Sequence, residues 1–177
     1  MIRGGFARTG IEAVLKKARV PKGSFYYYFP SKEDFGLAVI DDVAEQMFGP
    51  LEACMSDASV RPLARIRNYL EAGLAAVDGK CCKQGCLLGD LGQELAHQNE
   101  KFRHRLEEVF SRWKACLAGC LAEARKRKEL SAKADPEKLA GFILSGWEGA
   151  ILRSKVARSV EPMKQFIDVL FGQVLVR

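Results

Sequence analysis

Residues 8–35 read RTGIEAVLKKARVPKGSFYYYFPSKEDF, and this stretch decides the fold of the chain. The spacing of its apolar residues predicts two short helices around a tight turn, followed by the start of a longer helix. Thr9 is predicted to be the N-cap of the first helix, with Glu12 completing a capping box. Residues 18–20 form the turn, and Pro21 opens the second helix at the position that proline tolerates best. The pattern is typical of a helix-turn-helix.

The second helix, which runs from Pro21 to about Tyr28, separates two kinds of side chain. Phe25 and Phe29 are suited to anchor it inward, but three consecutive tyrosines cannot all face inward on one helix, so some phenols must find polar partners. One interpretation is a recognition helix in a DNA major groove, with the tyrosines and Lys32 placed to hydrogen-bond phosphates on either side. The alternative is that the aromatic run is core and the lysines are solvated. The side chains that this helix exposes are predicted to be Lys22, Gly23, Ser24, Tyr26 and Tyr27.

The charge of the chain is concentrated at its N-terminal end. Residues 1–32 carry seven lysines and arginines, including Arg3 and Arg8, against one acid, whereas the remaining residues hold 21 basic and 21 acidic side chains. The whole net charge of +6 therefore lies on this head. A basic head on a neutral body predicts a polyanion-binding module attached to a part of the chain that does other work.

The rest of the chain also has a helical pattern. At 177 residues it suits one domain, or a small head with a larger body. Almost every segment has apolar residues at helical spacing and no run alternates as a strand would, so the chain is predicted to be all-α. Ser31 is predicted to cap a helix that Gly49-Pro50 kinks or breaks. Further helices are predicted at about residues 62–79, 86–97, 102–128, 136–157 and 162–176.

Composition and motifs exclude several classes of function. No apolar run is long enough to span a bilayer, and no hydrophobic segment follows the N-terminal arginine as in a secretory signal, so a cytoplasmic protein with no membrane partner is expected. No Ser/His/Asp constellation, phosphate loop or paired metal-ligand motif is present, and two histidines, His97 and His104, leave little for acid–base chemistry. The chain is therefore expected not to be an enzyme, to have no catalytic residues and to need no cofactor.

Residues 20–35, VPKGSFYYYFPSKEDF, resemble the signature of TetR-family transcriptional regulators. In that family a Val-Ser/Pro-Lys-Gly-x-x-Tyr-x-Tyr-Phe-x-x-Lys run forms the recognition helix and the start of the connecting helix. The resemblance implies a helix-turn-helix DNA-binding domain at 1–34 and a helical effector-binding and dimerisation domain at 35–177. It also implies a homodimeric repressor that binds a palindromic double-stranded operator and releases it when a small organic effector binds. The DNA contacts that it implies are Thr9, Lys22, Gly23, Ser24, Tyr26, Tyr27, Tyr28 and Lys32.

One feature departs from the family pattern. The family normally has a first helix packed against the helix-turn-helix, and here only MIRGG precedes Phe6, the equivalent of the end of that helix, so the first helix is expected to be largely missing. Ile11, Val14 and Phe25 are then expected to lose part of their cover. At about 25 cal/mol per Å2, a few hundred Å2 of lost burial costs several kcal/mol. The alternative function is an all-α dimeric interaction protein that has lost DNA binding with its first helix.

The last two predicted helices, 136–157 and 162–176, are the expected dimerisation pair. Small residues permit close helix approach and large apolar residues supply area, so two such helices from each of two chains would form a four-helix bundle. A two-fold dimer also places two heads on two half-sites. Packing within one protomer is the alternative for any single residue. The predicted interface residues are Phe142, Ser145, Gly146, Gly149, Ile151, Phe166 and Leu170.

The segment CCKQGC, residues 81–86, holds three of the six cysteines. A chain with no secretory signal is not expected to use them as a disulfide framework. Cys86 is predicted at the start of the 86–97 helix, where the helix dipole favours thiolate. Gly85-Cys86-Leu87 resembles the start of the equivalent helix in a TetR subgroup that responds to reactive electrophiles and to unsaturated or carbonyl compounds. In that subgroup's pattern, Lys155 would lie near Cys86 and favour its thiolate.

Cys86 is therefore predicted to be a redox or electrophile sensor whose modification changes the spacing of the two heads. The alternative is a small residue at a tight helix start. A thiolate metal site is a third interpretation, but adjacent Cys81 and Cys82 poorly suit the C-x2-C spacing of zinc sites, so no metal is expected. A mostly apolar effector cavity would be lined by Leu91, Phe110, Trp113, Leu117 and Trp147, which would suit a filled core equally well.

Overall fold

The computed structural model describes residues 5–6 and 9–176, and over these residues it contains α-helices, a short π-helical turn and no strand. The prediction of an all-α chain is confirmed. None of the described helices combines the length and the apolar character that crossing a membrane requires. The elements are α1 (Ile11–Ala18), α2 (Lys22–Tyr28), α3 (Lys32–Ser56), α4 (Pro62–Asp78), α5 (Leu87–Leu95), α6 (Glu100–Lys126), α7 (Pro136–Ala157), α8 (Glu161–Val169) and the π-helical turn Leu170–Val174.

The chain divides into two compact units that do not follow the order of the sequence. The first unit contains the residues up to Gln46 together with Leu87–Glu108, and the second contains Met47–Cys86 together with the residues from Val109 on. The first unit therefore joins α1 and α2 with α5, although α4 separates them along the chain. Cys86 is the last residue of its segment in the second unit, directly before α5.

The start of α1 differs from the prediction. Gly10, not Thr9, is the N-cap, and it makes no side-chain cap hydrogen bond. The Thr9 hydroxyl instead donates to the carbonyl of Gly5 at 2.6 Å, and Glu12 forms an ion pair with Lys22 at 3.1 Å. The predicted capping box is wrong because both of its side chains bind partners outside the first turn.

The turns on either side of α2 agree with the sequence pattern except at Pro21. Arg19, with a φ of 57°, ends α1 in the left-handed region and turns the chain toward α2. Pro21 then serves as the N-cap of α2 rather than as its first helical residue. The predicted cap of α3 is confirmed, because the Ser31 hydroxyl oxygen accepts a hydrogen bond from the N–H of Asp34 at 3.1 Å.

Helix α3 continues through Gly49 and Pro50 as far as Ser56, so the helix is not broken at the predicted place. A proline inside a helix costs about 3 kcal/mol because it removes one N–H and crowds the preceding turn. Gly49 and Pro50 are exposed, whereas Phe48 and Leu51 beside them are 1% and 0% exposed. Full burial of such side chains contributes roughly 1.5–3 kcal/mol each, so packing offsets the cost of the proline.

The core of the second unit contains a buried arginine. Arg65 in α4 is 2% exposed, and it donates hydrogen bonds to the carbonyls of Val60 at 2.8 Å and Met55 at 2.9 Å. Its guanidinium also donates to both carboxylate oxygens of Glu123 in α6, at 2.7 and 3.3 Å. The hydrogen bond with Arg65 lowers the pKa of Glu123, so the pair stays ionised at neutral pH. One side chain thus ties the end of α3, the start of α4 and the C-terminal part of α6 together.

Candidate nucleic-acid interface

Helix α2 turns its hydroxyl-bearing face outward. Tyr27 is 82% exposed, Tyr28 72% and Tyr26 46%, while Phe25 is 5% exposed. The interpretation of the whole aromatic run as core is therefore wrong, because a single helical turn cannot bury all of its faces at once. The helix also exposes Lys22, Gly23 and Ser24.

Phe25 and Phe29 anchor α2 to α3, as predicted. The Phe25 ring centroid lies 5.4 Å from that of Phe29 and 5.3 Å from that of Phe35, and the Phe29 and Phe35 centroids are 5.2 Å apart. This aromatic cluster buries Phe25, so the expected loss of its cover is wrong, whereas Ile11 and Val14 are half-buried. The cluster fixes which face of α2 points to solvent.

The exposed face of the head carries cations next to the phenols. Lys22 donates a hydrogen bond to Glu12 at 3.1 Å, and this bond raises the pKa of Lys22 and keeps its ammonium charged. Phenol and ammonium donors at the surface of one helix can hydrogen-bond phosphate oxygens. Further exposed cations are Lys16, Lys17 and Arg19, whereas Arg3 and Arg8, which the sequence also counts in the head, lie outside the described residues.

Two of the predicted DNA contacts have partners inside the first unit. Thr9 is half-buried, and its hydroxyl donates to the Gly5 carbonyl. Lys32 is also half-buried, and its Nζ lies 4.7 Å from the centroid of the Phe6 ring, a cation–π contact. The predicted contacts that are open to solvent are therefore those on α2.

Cys86 lies immediately before α5, which begins at Leu87, so the predicted helix start is one residue early. Gly85 lies against α7, because a Cβ at this position would be 3.1 Å from Cγ2 of Ile151 and 3.8 Å from Cδ of Lys155. The aliphatic stem of Lys155 thus reaches the residue next to Cys86. That Lys155 lies near the thiol of Cys86 itself stays a prediction.

The chain between α4 and α5 turns sharply at the two other cysteines of this segment. Cys81 and Cys82 have φ values of 51° and 53°, which places both in the left-handed region. Cys81 is exposed and Cys82 is buried. In the part of the chain that the structure describes, no group of three or more His, Cys, Asp or Glu side chains could hold a metal ion.

The cysteines outside this segment are in less reactive surroundings. Burial raises the pKa of the Cys120 thiol to about 11, and burial also raises the pKa of Cys54 and of Cys116. The Cys120 thiol donates to the carbonyl of Pro62 at 3.2 Å. Because the thiolate is the reactive form, a raised pKa makes these three thiols slow nucleophiles at neutral pH.

Cysteine labelling is expected to distinguish the exposed Cys81 from the buried Cys120. A rise in the Cys120 pKa from 9.0 to about 11 lowers its thiolate fraction at neutral pH about a hundredfold, so iodoacetamide should label Cys120 far later than exposed Cys81. Its labelling rate should rise about tenfold per pH unit until the pH reaches the pKa. Mass spectrometry of timed reactions measures this, with denatured protein as the control. Equal labelling rates for Cys81 and Cys120 in the folded protein would contradict the conclusion that burial makes Cys120 a slow nucleophile.

The residues predicted to line an effector cavity are mostly buried. Trp147 packs closely against α4, because a Cβ at Gly73 would lie 2.9 Å from its ring. Trp113 stacks on Phe110 with the ring centroids 6.3 Å apart, and its indole N–H has no hydrogen-bond partner among the described residues. Leu91, Trp113, Leu117 and Trp147 are at most 4% exposed, and Phe110 is half-buried.

Sequence reasoning missed Tyr69, which lies edge-on to Trp113 with the centroids 6.4 Å apart. Burial raises the pKa of Tyr69 well above its ordinary value, and the nearby Cys86 adds to the shift. The phenol is therefore neutral, and it lies within electrostatic range of the predicted sensor thiol. The signal in the sequence was a single tyrosine between Ile66 and Leu70 in the apolar stripe of α4.

The predicted dimer residues fall into three groups. Phe142 is 51% exposed, and Ser145 and Gly149 are exposed beside it on α7. Ile151 and Leu170 are buried in the protomer at 8% and 1% exposure. Gly146 contacts the ring of half-buried Phe166, so these two residues join α7 to α8. The exposed apolar face includes further residues that the sequence analysis did not name, Leu152, Val156 and Val169.

Comparison with known proteins identifies the family. Residues 1–39 match the family described as bacterial regulatory proteins, tetR family, and residues 62–170 match the tetracyclin repressor-like C-terminal domain. The chain is 34% identical over 97% of its length to the transcriptional repressor DhaR of Mycobacterium sp. (strain GP1), of which it covers 84%. It is 40% identical over 92% of its length to the transcriptional regulator AcuR of Cereibacter sphaeroides, of which it covers 74%. The crystal structure of Escherichia coli NemR in its reduced form is 29% identical, with a TM-score of 0.87 over 97% of this chain and 89% of that one. The chain therefore belongs to the TetR family of DNA-binding transcriptional regulators.

Proposed function

We propose that this chain is a homodimeric repressor that binds a palindromic operator through α2 and releases it when Cys86 reacts or a small organic effector binds. It acts in the cytoplasm by binding, without catalysis. The observation that carries the proposal is the outward face of α2, where Tyr26, Tyr27 and Tyr28 are exposed while Phe25 is buried. A repressor fits the printed description of the relative DhaR.

DNA recognition is supported by the chemistry of the α2 surface. Three phenols and the Lys22 ammonium can donate to phosphate oxygens, and Gly23 lets the backbone approach the duplex closely. The aromatic anchor of Phe25 and Phe29 holds the helix at a fixed angle, which precise base contacts require. Thr9 and Lys32 would position phosphates at the edges of this surface.

A dimer through α7 and α8 is supported by the apolar face of these helices. Regulators of this family bind operator DNA and act as dimers. Val156 is 73% exposed, Phe142 51% and Val169 45%, which is costly for a monomer in water. A groove of about 380 Å3 between the two helices is lined by Gly149, Ala150, Arg153, Pro162, Gln165, Phe166 and Val169. Symmetry would place the same face of a second chain against it.

Release by thiol chemistry is supported by the surroundings of Cys86. It is half-buried, directly precedes α5, and follows Gly85, which lies beside the stem of Lys155. A nearby cation favours the reactive thiolate. That thiolate adds to the double bond of an electrophile such as N-ethylmaleimide, and the neighbouring carbon takes a proton from water. Effector binding is supported by the unpartnered N–H of Trp113, which could donate to a carbonyl oxygen of a ligand.

The decisive test is a gel-shift titration against the DNA that flanks the protein's own gene, before and after N-ethylmaleimide. We expect modification to weaken binding by the wild type by about tenfold or more, a typical coupling between two sites. Cys86→Ser should bind DNA normally and should not respond. Cys81→Ser, which removes an exposed neighbouring thiol, is the matched control and should respond like the wild type. Release of Cys86→Ser by maleimide would refute the sensor assignment.

A further inference from the structure

Phe6 fills a socket in the first unit. It is 7% exposed, and its ring packs edge-on against Phe102 of α6 with the centroids 5.2 Å apart. Gly36 of α3 lies against both rings, because a Cβ at this position would be 2.7 Å from each of them. A side chain larger than that of glycine would therefore displace the rings. The socket for Phe6 is thus formed by residues of α3 and α6.

Glu94 of α5 holds the backbone at this socket. Its Oε2 accepts a hydrogen bond from the N–H of Phe6 at 2.9 Å. Gly5 has a φ of +75°, and a Cβ there would lie 2.8 Å from Oε1 of Glu94, so the backbone wraps closely around the carboxylate. Thr9 extends the link, because its hydroxyl donates to the Gly5 carbonyl and its N–H donates to the Phe6 carbonyl at 3.2 Å. Thr9 precedes Gly10, the N-cap of α1.

A second group of contacts fixes the corner between α5 and α6 to α3. Asn99 caps α6, since its side-chain oxygen accepts from the N–H of Phe102 at 3.1 Å. The same Asn99 donates to Glu33 in the first turn of α3, and Lys101 forms an ion pair with Glu33 at 2.6 Å. The start of α6, which follows α5, is thus held by α3, while Glu94 holds the residues that lead into the helix-turn-helix.

We propose that Glu94 is the residue through which α5 positions the DNA-binding head in response to Cys86. The inference rests on the proposed function and names its regulatory connection. Cys86 adjoins the first residue of α5, and Glu94 lies two turns further along the same helix. A helix moves as a rigid rod over this length, so a shift of α5 at Cys86 moves the Glu94 carboxylate. That carboxylate then pulls on the backbone of Gly5 and Phe6, and through Thr9 on the start of α1.

The test compares the response to N-ethylmaleimide, defined as the ratio of Kd for the flanking DNA after and before modification. Glu94→Ala should keep its unmodified affinity within about threefold, while its response falls from about tenfold or more to about twofold or less. Glu94→Gln retains an oxygen that accepts the Phe6 N–H, so it should restore most of the response. Gln93→Ala, an exposed neighbour on α5, is the matched control and should respond like the wild type.

The outcomes separate this inference from the proposed function. A wild type that responds through Cys86, together with Glu94→Ala that responds equally, would overturn the role of Glu94 alone. Weaker binding by Glu94→Ala with an unchanged ratio would also overturn it, because a purely structural residue behaves in that way. If Glu94→Ala fails to fold, Gly5→Ala replaces it as the test, because the added Cβ would lie against the Glu94 carboxylate. This variant should also reduce the response. A wild type that binds no flanking DNA would overturn the proposed function and this inference with it.

Discussion

Replacing Arg65 with alanine is expected to lower the free energy of unfolding by about 3 kcal/mol. The side chain is 2% exposed, so its removal leaves the buried carbonyl of Met55 and the part-buried carbonyl of Val60 without their donor. Each unsatisfied buried group costs about 1–3 kcal/mol, and the space left by the side chain adds a cavity cost. Urea unfolding monitored by circular dichroism measures the change.

The matched control is Arg127→Ala. Arg127 binds the same Glu123 carboxylate at 2.7 Å, but its side chain is 46% exposed. Exposed ion pairs contribute about 1 kcal/mol or less, so this variant should unfold close to the wild type. A similar loss of stability in both variants would contradict this account. It would show that Arg65 stabilises the fold through its ion pair with Glu123 and not through the carbonyls of Met55 and Val60.

Replacing Val156 with aspartate is expected to convert the dimer into monomers. Val156 is 73% exposed on α7, on the apolar face that also carries Phe142 and Leu152. A two-fold interface would bury the new carboxylate twice, and burying an unpaired charge costs several kcal/mol. The dimer Kd should therefore rise by about a hundredfold or more. Sedimentation equilibrium measures it, because the monomer mass is 19.6 kDa.

Val20→Asp is the control for this substitution. Val20 is also an exposed valine, at 40%, but it belongs to the turn before α2 and not to α7 or α8. It should keep the mass of the wild type. Retention of the dimer mass by Val156→Asp would show that the chains associate through another surface.

Much of the fold could be predicted from local sequence. Apolar spacing gave the bounds of α7 as Pro136–Ala157, and Ser31 was a cap that needs only the residues next to it. The orientation of α2 also followed from local argument, because three adjacent tyrosines cannot all face inward on one helix. Such features depend on contacts within a few residues, and a pattern of residue types records them directly.

The remainder depended on partners far away in the chain. The Thr9 and Glu12 pattern suggested a capping box, but Glu12 binds Lys22 from the next helix instead. No local pattern marks Arg65 as buried, because its partner Glu123 lies 58 residues further on. Pro50 remains helical because the apolar face beside it is buried. Periodicity identifies a face but does not identify what covers it.

The residues of the candidate site also divide into those that local sequence predicts and those that depend on distant partners. The solvent exposure of the residues proposed to bind DNA on α2 was predictable, because family motif and helix geometry point to the same residues. The contact of Tyr69 with Trp113 and that of Glu94 with Phe6 were not predictable. Each joins residues that are far apart in the sequence, so no local pattern records it. Ile151 and Leu170 share the apolar character of an interface residue, yet they are buried within one protomer. Residue type alone cannot distinguish these two uses of an apolar side chain.

The measurement that tests the central claim most directly is the affinity of this chain for its flanking DNA at several salt concentrations. A protein that neutralises several phosphates should lose about a thousandfold or more in affinity between about 50 and 200 mM salt. Lys22→Ala should bind more weakly and reduce that slope, by about one phosphate contact per protomer. Binding that is absent, or that salt and Lys22→Ala leave unchanged, would contradict a DNA-binding function of α2.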